Sequence, residues 1–328
     1  MFPNLVDGTR LAGALTLPEG PGPFPAAVLI AGSGPHDRDL SLGNGRKPFR
    51  DLAGRLARRG IASIRYDRRG VGKSSGTYRP MEIGAFTTDA LSGAAWLRGR
   101  EEIDGGRVGY LGISMGGMIA PLAAATDTAA AFAVLLSAPG LWGREFFTLS
   151  SIAIARACGF AGGAEAEIRR LYDELWPLYV KPELSGREWN EALRCMEGLS
   201  SYMNDETRAA FHQEDAGAYF EFMRSEGVMR HLRHDPAEPL RRLRCPVLAL
   251  FGDKDVQVAW PENRDAVEAA LREGGNEHAR VATLEGCDHL LRRSRTGLPS
   301  EMLGGKEGFS EEAFVEIADW LASTNGVD

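Results

Sequence analysis

One serine of this sequence lies in a context that could make it a nucleophile. Ser114 is the centre of Gly112-Ile113-Ser114-Met115-Gly116, which fits the pattern Gly-x-Ser-x-Gly between a strand-like run, residues 108–113, and a helical pattern. The two glycines permit the tight strand-to-helix turn that raises a serine Oγ above a sheet. The backbone N–H of Met115 would then open the helix and face a tetrahedral oxyanion. We therefore predict Ser114 as the nucleophile and Met115 as an oxyanion-hole donor.

A serine hydroxyl is a weak nucleophile unless a base accepts its proton, and that base is commonly a histidine. Of the six histidines, His289 directly follows an apolar run, residues 279–284, and so lies at the carboxyl end of a strand, where open α/β sheets present their sites. We predict that His289 is the base. Four other histidines lie in a helical block or in polar surroundings, which favours the protein surface: His212, His231, His234 and His278.

The acid that orients the base should follow another strand. The apolar run 247–251 is followed by a glycine and then by two carboxylates, Asp253 and Asp255. We predict Asp255 as the acid, because the chain must first turn outward after the glycine, and we expect Asp253 to stabilise that turn. Asp288 is adjacent to His289 and is poorly placed to bond the ring of its neighbour.

A second oxyanion donor should come from the loop that follows the first buried strand. Residues 31–39 form this loop, and we predict the backbone N–H of Ser33 as the donor, because small neighbours let the backbone approach a substrate carbonyl. We expect His36 and Asp37-Arg38-Asp39 to pair with one another and hold the loop. A catalytic role for His36 is the alternative.

These side chains need a sheet to position them. Five short apolar runs, each ending in a loop with Gly, Asp or Ser, are typical of strands buried on both faces of a parallel sheet: 26–31, 61–66, 108–113, 132–136 and 247–251. Helical spacing of apolar residues separates them, in 49–59, 86–98, 116–125 and 263–272. The alternation predicts an α/β fold with a mostly parallel, doubly wound sheet. Residues 5–17, around an Asp-Gly turn, predict an edge hairpin.

The alternation stops between residues 141 and 242, where amphipathic helices replace strands. Two apolar stripes indicate them: Ile168, Leu171, Leu175 and Leu178, then Trp189, Leu193, Met196 and Met203. We predict a core formed by residues 1–140 and 243–328, interrupted by a helical cap, 141–242. Since the cap leaves the sheet at the carboxyl end of a strand, we expect it to form a lid over Ser114.

Charge and hydropathy exclude several classes of protein. The 328 residues include 45 acidic and 38 basic side chains, a formal charge of −7 that disfavours nucleic-acid and anionic-membrane partners. The apolar region 118–141 is interrupted by Thr126-Asp127-Thr128, which predicts two buried elements and a turn rather than a membrane span. The first twenty residues lack the basic and apolar regions of a signal peptide, so we expect a cytoplasmic location.

No cofactor or metal site is predicted. Gly72-Lys73-Ser74 lacks the first glycine of a P-loop, where Asp67 stands, and Gly32-Ser33-Gly34 lacks the third glycine of a dinucleotide fingerprint, where Asp37 stands. The cysteines are scattered without a Cys-x-x-Cys pair, which favours buried thiols: Cys158, Cys195, Cys245 and Cys287.

Four motifs in this order carry a resemblance to a known family. Residues 32–39 read Gly-Ser-Gly-Pro-His-Asp-Arg-Asp, 66–74 contain Asp-Arg-Arg-Gly-Val-Gly-Lys-Ser, and 252–258 contain the acid, besides the serine motif. The chain resembles the serine α/β-hydrolases, and among them the bacterial esterases related to dienelactone hydrolase, from about Val6 to Leu321 apart from the cap. Ala31 departs from the pattern, since many relatives have histidine there. The resemblance implies an α/β-hydrolase fold and carboxylesterase activity, with thioesterases and some peptidases as neighbours.

The sequence therefore predicts a serine hydrolase of small acyl esters. Ser114 attacks the ester carbonyl, His289 moves the proton, Asp255 orients His289, and the N–H groups of Ser33 and Met115 bind the oxyanion. The order Ser, Asp, His is the chain order of the α/β-hydrolases. The alternatives are an acyl-CoA thioesterase or acyltransferase, a peptidase, and a non-catalytic ligand-binding protein on the same fold. A homodimer is left open.

Overall fold

A seven-stranded sheet forms the centre of the computed structural model, which describes residues 1–160, 162–304 and 308–327. The strands in the described ranges are β1 (Phe2–Pro3), β2 (Arg10–Leu11), β3 (Gly13–Thr16), β4 (Phe24–Ile30), β5 (Ala62–Tyr66), β6 (Ile103–Ile113), β7 (Ala133–Leu136), β8 (Val247–Gly252) and β9 (Ala279–Leu284). The order in the sheet is β3-β5-β4-β6-β7-β8-β9. Only the β3–β5 pair is antiparallel in this sheet, which confirms the mostly parallel sheet.

Helices cover both faces of the sheet, and this explains why its central strands are continuous apolar runs. One face packs against α2 (Ile83–Arg98), α3 (Met115–Thr126) and α11 (Glu262–Glu273). The other face packs against α1 (Pro48–Arg58) and α13 (Glu311–Asn325). Every residue of β7 is fully shielded from solvent. This is the doubly wound architecture that the alternation of patterns predicts.

The segment between β7 and β8 consists of helices and connecting loops, and its described residues form no strand. Its helices are α4 (Gly143–Ala157), α5 (Ala164–Val180), α6 (Gly186–Ser200), α7 (Asp205–Ala210), α8 (Ala216–Arg224), α9 (Glu226–Leu232) and α10 (Ala237–Arg242), and a further short helix, α12 (Pro299–Gly304), follows β9. The α5 stripe is buried in a hydrophobic cluster of this segment's own. Met203 lies beyond α6 and packs instead with Ile154 and with Val256 of the sheet region.

An antiparallel hairpin around the predicted Asp7-Gly8 turn is present, but its strands are β1 and β2, and it does not lie at the edge of the main sheet. β1 and β2 pair with each other outside the main sheet, whereas β3 joins the sheet edge beside β5. Long-range contacts override the local pattern: Phe2 packs on Tyr66 and Trp96, and the Asn4 side chain donates to Asp89 Oδ1 at 2.7 Å. The contacts with Trp96 and Asp89 therefore hold the β1–β2 hairpin against α2.

The apolar region 118–141 has the organisation that its interruption predicts. It contains most of α3, a turn and β7. Among the described residues, no helix combines the length and apolar character needed to cross a membrane.

Candidate active site

Ser114 occupies a strained turn between β6 and α3. Its backbone has φ 56° and ψ −124°, a left-handed value of φ that is unusual for a residue with a side chain. A Cβ on Gly112 would lie 1.9 Å from the Gly116 carbonyl oxygen, and a Cβ on Gly116 would lie 2.1 Å from the Ile30 carbonyl oxygen. The Ser114 N–H donates to the Leu136 carbonyl at 2.8 Å. Both glycines are required by backbone packing, as the motif predicts.

Asp255 and His289 meet at the carboxyl ends of β8 and β9. The His289 Nδ1 lies 2.8 Å from the Asp255 Oδ2, and both residues are buried. The other carboxylate oxygen of Asp255 accepts the backbone N–H groups of Gln257 and Val258, each at 2.9 Å. The carboxylate is thus fixed in position and is aimed at one nitrogen of the ring, leaving Nε2 for other contacts.

The two competing aspartates have other partners. Asp253 accepts the backbone N–H of Gly286 at 2.6 Å and so ties the loop after β8 to the loop after β9. Asp288 forms a buried ion pair with Arg292 at 2.6 Å. Asp253 thus has the turn-stabilising contacts that the sequence predicts.

The environment of His289 sets its proton affinity. Burial acts to lower the pKa of the imidazole, but the negative charge and the hydrogen bond of Asp255 act in the opposite direction, and the charge of Asp288 adds to them. The net effect raises the pKa of His289 above its ordinary value of 6.5. A raised pKa favours the imidazolium that a general base becomes when it accepts a proton.

The loop after β4 packs directly on the serine. A Cβ on Gly32 would lie 3.1 Å from the Ser114 Cβ, so the absence of a side chain brings the Ser33 backbone close to the nucleophile candidate. Met115 is the first residue of α3, whose first-turn N–H groups have no acceptor within the helix. His36 Nε2 contacts the Ser33 carbonyl oxygen at 2.5 Å, and in the tautomer with Nε2–H it donates to that oxygen.

The local pairing expected within Asp37-Arg38-Asp39 is wrong. Arg38 forms a two-pronged ion pair with Asp67 in the loop after β5, with distances of 2.9 Å and 2.6 Å. Asp39 pairs with Arg65 at 2.8 Å. Asp67 is buried and also accepts the backbone N–H of Lys73. A guanidinium and a carboxylate pair best edge to edge in one plane, through two parallel hydrogen bonds, and Asp67 offers Arg38 this geometry.

Arg68 is a buried cation that sequence reasoning did not single out. It donates to the carbonyl oxygens of Ala31 at 2.9 Å and Gly34 at 3.2 Å, and its guanidinium lies 4.2 Å from the centre of the Phe86 ring. These bonds hold two carbonyls of the loop that contains Ser33. The loop after β5 therefore shapes the loop beside Ser114, and the Asp-Arg-Arg-Gly motif was its only sequence signal.

One cavity of about 400 Å³ is lined by four of the predicted site residues: Ser33, Ser114, Met115 and His289. Asp255 lies behind His289, to which it is hydrogen-bonded. The segment between β7 and β8 supplies much of the cavity wall, with the following residues: Trp142, Phe146, Phe147, Ser150, Ser151, Ile154, Tyr172, Met203, Phe211, Gln213 and Tyr219. His36 also lines it, whereas His212, His234 and His278 do not. In the part of the chain that the structure describes, the lining contains no Asp, Glu, Lys or Arg. The cavity suits an uncharged, largely apolar ligand.

The sheet order, the strained serine turn and the helices on both faces define an α/β-hydrolase fold. The α/β hydrolase GrgF from Penicillium sp. sh18 superposes with a TM-score of 0.60 at 18% identity, over 99% of this chain and 97% of that chain. The Pyrococcus furiosus esterase Pf2001 superposes with a TM-score of 0.59 at 12% identity, over 99% and 90%. The chain belongs to the X-Pro dipeptidyl-peptidase (S15) family, whose sequence profile matches residues 7–275.

A curated relative adds information about sequence. The chain is 28% identical over 314 residues to esterase EstD of Thermotoga maritima, which covers 95% of this chain and 65% of EstD. The chain thus spans slightly less than two thirds of the length of that relative. These matches confirm the resemblance to α/β-hydrolases and esterases, and the narrower relationship to dienelactone hydrolase stays a prediction.

Proposed function

We propose that this protein is a serine carboxylesterase that works through an acyl-enzyme. Ser114 Oγ attacks the ester carbonyl carbon while His289 Nε2 takes the hydroxyl proton, and the N–H groups of Ser33 and Met115 bind the oxyanion. The C–O bond of the ester then breaks, and His289 returns the proton to the leaving alcohol. Water repeats the sequence on the acyl-enzyme and releases the acid. Asp255 orients His289 and stabilises its imidazolium form throughout.

One observation carries this proposal. A strained serine and a buried Asp255–His289 pair open into the same apolar cavity, whose described lining lacks charged side chains other than histidine. An uncharged ester of an apolar acid loses little hydration energy on entering such a cavity. The likeness to EstD, which is named an esterase, supports the same reaction.

The S15 family match makes an X-Pro dipeptidyl-peptidase the second candidate. Such an enzyme must bind the free α-ammonium group of its substrate, and burying a cation without a carboxylate partner costs several kcal/mol. No Asp or Glu of the described residues lines the catalytic cavity. The chemistry of the wall therefore favours the ester over the dipeptide.

A comparison of substrates on the purified protein tests the proposal. We expect p-nitrophenyl butanoate to be turned over with kcat/KM at least about 10²-fold above an X-Pro dipeptide p-nitroanilide and above butanoyl-CoA. The reverse order for the anilide would assign a peptidase, and the reverse order for the CoA ester would assign a thioesterase. Absence of turnover of all three, with no reaction at Ser114, would favour a ligand-binding protein.

The proposal extends to the organisation of the chain. Residues 1–140 and 243–328 would form the catalytic core and 141–242 its cap, since the cap supplies side chains to the cavity wall. The cytoplasmic location expected from the first twenty residues stays a prediction.

A further inference from the structure

A second cavity of about 440 Å³ lies beside the catalytic cavity. It is bounded by the connection from β7 to α4, by residues 232–237 between α9 and α10, and by α11. Leu141, Leu232 and Ala270 give it an apolar part. The rest of its lining includes charged side chains: Arg233, Asp235, Arg241 and Glu273. It contains none of the candidate catalytic residues.

Trp142 belongs to the walls of both cavities. Of the described residues that line either cavity, it is the single one common to both. Its ring packs on Phe146 with a centroid distance of 4.7 Å and on Phe147 at 6.3 Å. Trp142 is therefore shared by the two cavity walls, and its ring packs on two aromatic side chains of the catalytic cavity.

The backbone beside this side chain is fixed. The N–H groups of Gly140 and Leu141 both donate to the buried Asn263 Oδ1, at 3.1 Å and 3.0 Å. A Cβ on Gly140 would lie 2.4 Å from the Asn263 carbonyl oxygen, so the chain is packed tightly there. Trp142 follows in an extended conformation and is half-buried. A substitution at position 142 is therefore expected to change the side chain there and not the path of the backbone.

We propose that Trp142 sets the upper limit on the length of the substrate chain, a proposal that rests on the esterase function above. With the indole in place, the chain must end within the catalytic cavity. With alanine at this position, the catalytic cavity opens into the second one, and a longer alkyl chain reaches Leu232 and Ala270. The residue determines specificity without touching the ester group.

A chain-length series tests this directly. The parent, Trp142→Ala and Trp142→Phe are compared on p-nitrophenyl alkanoates from butanoate to hexadecanoate and on acetates of linear alcohols from ethyl to dodecyl. In one of the two series, we expect Trp142→Ala to raise the ratio of kcat/KM for the twelve-carbon substrate to that for the shortest substrate by about 10-fold or more. The reason is that each buried methylene increases kcat/KM by about threefold to fourfold. Trp142→Phe keeps an aromatic ring and should stay close to the parent.

Two controls separate a joined cavity from a merely larger one. Phe211→Ala enlarges the catalytic cavity without reaching the second cavity, and it should not extend the range to dodecyl chains. Ala269 lines the second cavity, so adding Ala269→Trp to Trp142→Ala refills that space and should return the length limit to the parental one.

Binding measurements on catalytically inactive variants test the role of Trp142 without relying on turnover. The Ser114→Ala protein and its Trp142→Ala derivative are titrated with the same esters by calorimetry, and the derivative should gain affinity only for the long members. Circular dichroism checks folding, and Trp142→Leu replaces Trp142→Ala if the latter unfolds. If the parent protein hydrolyses no ester, the proposed esterase function is wrong, and the titrations of the Ser114→Ala variants then test the role of Trp142 by themselves. A length preference that Trp142 truncation leaves unchanged in both arms would overturn the proposal.

Discussion

At the scale of single residues, two aspartates two positions apart have different partners and should have different mutant phenotypes. Asp255→Asn should lower kcat/KM for a p-nitrophenyl ester by about 10³-fold or more, because the amide no longer fixes the His289 tautomer or stabilises the imidazolium. Asp253→Asn should mainly lower stability, by about 1 kcal/mol, since Asp253 bonds the Gly286 N–H. Steady-state kinetics and urea denaturation of both variants check this. If Asp253→Asn instead abolished activity and Asp255→Asn lowered only stability, Asp253 would be the acid that orients His289.

The raised pKa of His289 predicts the pH dependence of turnover. The attack needs the neutral imidazole, so activity is full above the pKa and is lost as the pH falls through it. The acid limb of kcat/KM should therefore have its midpoint above 6.5, the ordinary value for histidine. Asp255→Asn removes the main influence that raises this pKa, and its residual activity should show a limb at lower pH. A parental midpoint at or below 6.5 would contradict this.

The candidate catalytic residues could be predicted because their signals are local. Ser114 needs glycines two positions away, and His289 and Asp255 each follow an apolar run. The partners of Arg38 and Arg68 could not be predicted, because Asp67 and the Ala31 carbonyl are far away in sequence. Which charged groups pair depends on loops that come together only in the folded protein.

At the scale of elements, Asp67 joins the loop after β4 to the loop after β5. Its carboxylate is buried and binds Arg38 with two hydrogen bonds. Asp67→Ala leaves the guanidinium without this partner and should lower the free energy of unfolding by about 2 kcal/mol or more, as for broken buried ion pairs. Urea denaturation measures this. As a control, Arg170→Gln removes two exposed ion pairs on α5 and should leave the urea midpoint near that of the parent.

The Asp67→Ala variant also tests whether the Asp67–Arg38 ion pair affects the candidate active site. Because Arg38 lies five residues after Ser33, Asp67→Ala should also lower kcat/KM at temperatures where it remains folded. A variant that is less stable but fully active would limit the role of Asp67 to stability.

Elements that are continuous apolar runs were predicted well. For the N-terminal hairpin of β1 and β2, the turn was predicted, but the strand residues and their place outside the main sheet were not. The buried strands are nearly all apolar because both faces of the sheet are covered, which leaves a clear sequence pattern. β1 and β2 have two residues each, too few for any periodicity. Their position depends on contacts of Phe2 and Asn4 with distant side chains.

At the scale of the whole molecule, the cap is expected to shape the substrate preference. Ile154 lines the catalytic cavity, whereas Ile168 is buried in the cap's own cluster away from it. Ile154→Val should change the ratio of kcat/KM for hexanoate to that for acetate by about threefold to fivefold. Ile168→Val removes the same methylene and should lower stability similarly without changing that ratio. A ratio that responds equally to both variants would mean that the cap acts only through stability.

The run of helices between β7 and β8 was predictable, and the side chains that line the catalytic cavity were not. The loss of strand patterns after residue 141 marks where the chain leaves the sheet. The side chains that face Ser114, however, come from helices whose packing on one another and on the sheet decides their direction. The absence of charged side chains from the described lining is therefore visible only in the assembled structure.

Covalent labelling shows whether Ser114 is the nucleophile of an esterase. The protein is treated with a fluorophosphonate, and the modified residue is identified by peptide mass spectrometry while p-nitrophenyl butanoate hydrolysis is followed in parallel. We predict a single adduct on Ser114, loss of hydrolysis in proportion to labelling, and at least about 10³-fold lower turnover without labelling in folded Ser114→Ala. Hydrolysis that persists in Ser114→Ala, or an adduct on another residue that accounts for the loss, would contradict this role of Ser114.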